Sequence, residues 1–107
     1  MFEEQWHVKI SNHGLEVINP SHDVQRIRLE AIQRIAVQTN DSGPFGSDVI
    51  WLVSDGDSTI SFPMGAKGES DVLGAFQKID GFDNLEFINS MSSVENNVFI
   101  LLNRVKA

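Results

Sequence analysis

The sequence predicts an α+β fold, a curved antiparallel β-sheet or partly open barrel of about six to seven strands with one or two helices in its C-terminal half. Three observations lead there. Apolar and polar residues alternate over most of the first sixty or so positions, the period of a half-buried strand. Short clusters of Asn, Asp, Gly and Pro interrupt that alternation as turns do. The first helical periodicity without a competing strand assignment arrives only after residue 65, and strands that precede helices pair antiparallel rather than forming βαβ units. At 107 residues the chain is expected to be a single domain spanning 1–107, large enough to bury a core without disulfides.

Trp6, Val8 and Ile10 alternate with His7 and Lys9, Asn12-His13-Gly14 supplies a turn, and 15–18 returns, so 6–18 reads as a hairpin. Asn19-Pro20-Ser21-His22-Asp23 breaks it. Residues 24–29 and 35–39 read as two further strands; one helix over 23–37 is the competing assignment, since Ile27, Ala31 and Ile35 also fit a helical spacing. Isoleucine and valine at the apolar positions favour the strands. Residues 39–48 read as a crossing loop. Val49 to Val53 is apolar on both faces, as in a central strand covered on both sides. Asp55-Gly56 turns the chain into a partner strand over 58–62, which Pro63 ends.

Residues 65–68 form a glycine-flanked lead-in to a helix over 69–80, with Glu69 or Ser70 as its cap and Val72, Leu73, Phe76 and Ile79 as its apolar stripe. Gly81 stops it, and Phe82 is expected to pack back on that stripe. Asp83 and Glu86 have the spacing of a capping box, which places Leu85, Ile88 and Met91 on a second short helix. Residues 98–105 make the closing strand.

Composition excludes several functions. There is no cysteine, hence no disulfide framework, thiolate nucleophile or cysteine–zinc site. The net charge is −7, and residues 41–86 carry all of that excess, with nine acids against Lys67 and Lys78. Nucleic acid and anionic membranes both require a basic footprint, so neither is an expected partner. A basic protein is. The acidic N-terminus lacks the basic region and apolar core of a signal peptide, and the longest apolar run is far too short to span a membrane, so the expected location is cytoplasmic.

No motif for catalysis or cofactor binding emerges. The glycines of Thr39-Asn40-Asp41-Ser42-Gly43-Pro44-Phe45 feed a strand, whereas a phosphate loop feeds a helix and carries its own lysine. Asp41 and Asp48 are too few for a calcium loop. Lys67 opens a helix, a place where anions bind, but Glu69 and Asp71 occupy the same positive end. His7, His13 and His22 lack any zinc spacing, and no serine sits in a nucleophile elbow. The reading therefore leans away from an enzyme and expects no cofactor and no metal. The candidate interaction residues are Asp41, Phe45 and Asp48 at the loop, with Phe45 as either an inward plug or an exposed anchor; Arg26, Arg28 and Arg34, placed on one hairpin face; and Lys67.

Taken together, Thr39 to Phe45 followed by Asp48-Val49-Ile50-Trp51, then Pro63-Met64-Gly65-Ala66-Lys67-Gly68, Gly81-Phe82-Asp83-Asn84, Met91-Ser92-Ser93 and Phe99 resemble a family of small uncharacterised bacterial proteins. The order of about six strands and then a helix is similar to pleckstrin-homology-like and GRAM-like domains. The resemblance implies the fold and no catalytic residues. The basic loop of lipid-binding members is missing here, which argues against phosphoinositide binding. The expected function is a non-catalytic module that binds a protein, in its most specific form an immunity- or inhibitor-type protein acting on a basic partner. The alternative is a small-ligand or enzymatic pocket near 39–48 and 65–71. A homo-oligomer built through the adhesive segment 98–102 is a third expectation.

Overall fold

The computed structural model describes residues 5–12, 14–43, 46–91 and 97–104; for 40–43 and 46–48 the backbone alone is described. Seven antiparallel strands form two sheets, and two helices lie between the sixth strand and the seventh. The first sheet is the meander β1 (His7–Ser11), β2 (Gly14–Ile18) and β3 (Val24–Ile27). The second contains β4 (Arg34–Gly43), β5 (Gly46–Ser54), β6 (Thr59–Pro63) and β7 (Asn97–Asn103), in the spatial order β6-β5-β4-β7. No strand ladder closes the two sheets into a barrel among the described residues.

Residues 24–39 form two strands, not one helix. They do not form a hairpin with each other, because a 3₁₀ turn at Leu29–Ala31 and the buried Ile32 send the chain from one sheet into the other. Arg104 holds this corner. Its guanidinium donates to the carbonyls of Ile32 and Leu29, and its backbone N–H donates to Gln33. The turn at 19–23 is held by Asn19, whose side-chain oxygen accepts from the N–H groups of Ser21 at 2.9 Å and Asp23 at 3.0 Å. The β5–β6 turn is built on Asp55. Its carboxylate accepts from the N–H groups of Ser58 and Asp57, in that order of influence, and these hold its pKa below the ordinary aspartate value.

Residues 39–43 and 46–48, expected as part of a crossing loop, are paired strand. β4 and β5 continue as a hairpin past Thr39, pairing Asn40 with Asp48 and Gly43 with Gly46 around a register shift. Backbone ladders do not depend on apolar side chains, so a polar segment can extend a hairpin that the core has already registered.

Residues 65–68 are more than a lead-in to the helix, because Lys67 clamps β1. Val8 N–H donates to Lys67 O at 2.8 Å and Lys67 N–H to Trp6 O at 2.9 Å, a parallel bridge that ties β1 to the second sheet's return. Gly68 (φ 91°) then starts helix α1 (Glu69–Gln77), with no side-chain cap from Glu69 or Ser70. α1 lays Val72 and Phe76 into the core, and Phe82 stacks on Phe76 with centroids 6.5 Å apart. Helix α2 (Asn84–Met91) is capped by Asp83, whose Oδ1 accepts the Glu86 N–H at 3.0 Å. The capping box is half formed, since Asp83 N–H is taken by Leu101 O.

Both helices cover the same side of the second sheet, and Trp51 is where they meet. Its ring stacks on Phe62 of β6 at 6.1 Å and on Phe87 of α2 at 5.6 Å, and it tilts against Phe76 of α1 at 5.7 Å. The indole N–H donates to Glu69 Oε2 at 2.7 Å. This corrects the expectation that β5 is covered on both faces. Trp51 and Val53 are buried, while Ile50 and Leu52 are only half-buried on the opposite face, which carries no helix. An antiparallel sheet tolerates one open face in this way.

Candidate interaction surface

Helix α2 turns its apolar stripe away from the core. Phe87 and Ser90 point in, with Ser90 Oγ donating back to Phe87 O at 2.6 Å. The i, i+3 and i+6 positions Leu85, Ile88 and Met91 stand out into solvent, exposed to 69%, 61% and 43%. An eight-residue helix has room for one inward row, and the stacking of Phe87 on Trp51 selects that row.

The strand that follows repeats the pattern. β7 lies at the edge of its sheet beside β4, and its register skips a residue between the Ile35–Leu102 and Ala36–Ile100 pairs. That bulge lets Leu101 and Leu102 both face the core, while Val98 and Ile100 stay exposed on the outer face. There they border a hollow of about 260 Å³ shared with Ala36, Leu52 and Arg34. Five of the six exposed large hydrophobic side chains among the described residues thus lie on α2 and β7. They flank the β7 edge from both sides of the sheet, where the carbonyl of the bulged Leu101 is already occupied by Asp83.

The residues expected from sequence are scattered around this surface. Arg26 on β3 donates to Glu16 on β2 at 2.8 Å, and Arg28 pairs with Glu30. The Glu30 carboxyl is held below its ordinary pKa by its own backbone N–H first and by Arg28 second. Arg34 sits on the other sheet, so the three arginines do not share a hairpin face; the 3₁₀ corner separates them. Lys67 is exposed, and its backbone groups are spent on β1 rather than offered to an anion. Asp41 and Asp48 lie on the paired arms of the β4–β5 hairpin, with their side chains outside the described residues, and Phe45 lies outside them altogether.

A wide-open groove of about 720 Å³ runs along α1, floored by Ile10, Leu29 and Ile79 and rimmed by Asp71 and Lys78. It touches the helix start at Ser70 but includes none of the described residues of 39–48. Among the described residues, no three His, Asp or Glu side chains gather as a metal site requires, and no helix is long and apolar enough to cross a membrane. Sequence reasoning missed the outward stripe of α2 and the structural use of Arg104. The first left one readable signal: from 79 to 103 the chain contains no Lys, Arg or His. No family model, curated protein or solved structure matches the chain.

Proposed function

We propose that the protein is a non-catalytic module that binds another protein through the apolar surface of α2 and β7. The observation that carries this is the concentration of exposed aliphatic side chains on those two consecutive elements, five of six among the described residues. Exposed aliphatics scattered singly are ordinary, whereas their concentration beside one edge marks an interaction site. The acidic charge supports a basic partner, and with it the immunity- or inhibitor-type form of the reading. Six strands before the first helix support the pleckstrin-homology-like strand order, a fold that fixes no function by itself. A small-ligand reading draws less support, because the groove along α1 is shallow and its polar groups sit on the rim rather than converging.

The test is capture of the native partner. Wild-type protein used as bait in extracts of its host is expected to retain a partner that the double variant Leu85→Gln, Ile88→Gln loses, while Arg26→Ala, on the other sheet, keeps it. Equal retention by all three proteins would remove α2 from the interface and sink the reading.

A further inference from the structure

We infer that the partner presents an apolar groove bordered by lysine or arginine, and that α2 enters this groove as the inserted helix. The inference rests on the protein-binding reading above and adds the chemistry of the partner.

The geometry of α2 is that of an anchor row. Leu85, Ile88 and Met91 project from one side over about 9 Å of helix, and helix-in-groove recognition uses anchors at such spacings. The opposite side is fixed to the core by Phe87 on Trp51, and the helix start is fixed by Asp83. The row is therefore held in place before any partner arrives, which lowers the ordering cost of binding.

Charge selects the partner. Between residues 79 and 103 the chain has Asp80, Asp83, Glu86 and Glu95 and no base. Asp80 and Asp83 are exposed and Glu86 is half-buried beside the anchors. The first base beyond this stretch, Arg104, spends its guanidinium on the Leu29 and Ile32 carbonyls. An apolar row with an acidic margin matches a basic rim and repels an acidic one. The same margin disfavours a second copy, since two chains of charge −7 would bring matching acidic edges together. It also disfavours a lipid surface, because interfacial helices carry Lys and Arg along their polar face.

The experiment uses two synthetic two-helix peptides that present the same leucine-lined groove between their helices, one edged with lysine and one with glutamate. Binding to the full chain is followed by fluorescence anisotropy. The lysine peptide is expected to bind and the glutamate peptide to fail. Affinity for the lysine peptide should drop about tenfold with either Leu85→Gln or Ile88→Gln. It should drop several-fold with Asp80→Asn plus Glu86→Gln, and again as salt shortens the screening length from about 30 Å to about 8 Å. Equal binding of both peptides would overturn the choice of a basic rim and leave the protein-binding reading standing. Lysine-peptide binding that survives loss of both anchors would be charge alone and would overturn the inserted helix. Failure of both peptides would overturn the inference, and the host-extract capture then decides separately whether the protein-binding reading also falls. A concentration-dependent dimer in light scattering that Ile88→Gln dissolves would put a second copy in place of the basic partner.

Discussion

Trp51→Ala is expected to remove about 3–5 kcal/mol of folding stability, the range for deleting a buried large aromatic. Trp51 is 1% exposed and touches an aromatic ring from β6, α1 and α2. The substitution therefore opens a cavity where three elements meet and removes three ring contacts, each contributing about 0.5–1.5 kcal/mol beyond area burial. It also leaves the Glu69 carboxylate without its indole donor. Domains of this kind have about 5–15 kcal/mol in total, so the variant sits near the edge of folding. Trp51→Phe keeps most of the apolar volume and loses the N–H, and should cost distinctly less. Urea midpoints of the three proteins give the comparison; a loss under about 1 kcal/mol for Trp51→Ala would mean that the helices do not depend on this hub.

Gly68→Ala is the second large effect. At φ 91° an L-residue is strained, by about 1–2 kcal/mol. A Cβ on Gly68 would also lie 2.1 Å from the carbonyl oxygen of Val8, which no side chain tolerates. Relief requires β1 to move away from segment 66–68, and the paired bonds between Val8, Lys67 and Trp6 then weaken. The total is expected to be about 3 kcal/mol. Gly81→Ala separates the two causes, because φ is similar at 94° while the nearest atom to its Cβ is Leu102 Cδ1 at an ordinary 3.5 Å. It should show the conformational strain alone, so equal losses at the two positions would refute the steric part.

Much of this architecture is legible in the sequence. The alternation of Val8 and Ile10 with His7 and Lys9, the Asp55-Gly56 turn and the inward pair Val72 and Phe76 all follow from local periodicity and turn chemistry. What is not legible depends on which surface another element covers. The periodicity of α2 shows that Leu85, Ile88 and Met91 share a face but not that Phe87 takes the core side, because that choice is made by Trp51, far away in sequence. The run Val49 to Val53 shows no alternation, since Ile50 and Leu52 are as apolar as Trp51 and Val53 although only the latter two are buried. Residues 39–48 read as a loop because glycine, proline and aspartate dominate them, and the described backbone at 39–43 and 46–48 nevertheless extends the hairpin.

The binding proposal requires that the outer face of α2 contribute nothing to the fold of the isolated chain. The most direct measurement is the unfolding free energy of the double variant Leu85→Gln, Ile88→Gln, in which glutamine preserves helix propensity. The expected value lies within about 0.5 kcal/mol of wild type, as for surface substitutions. A loss of about 2 kcal/mol or more, on the scale of truncating a buried aliphatic, would show that the chain itself covers this face and would contradict its assignment to a partner.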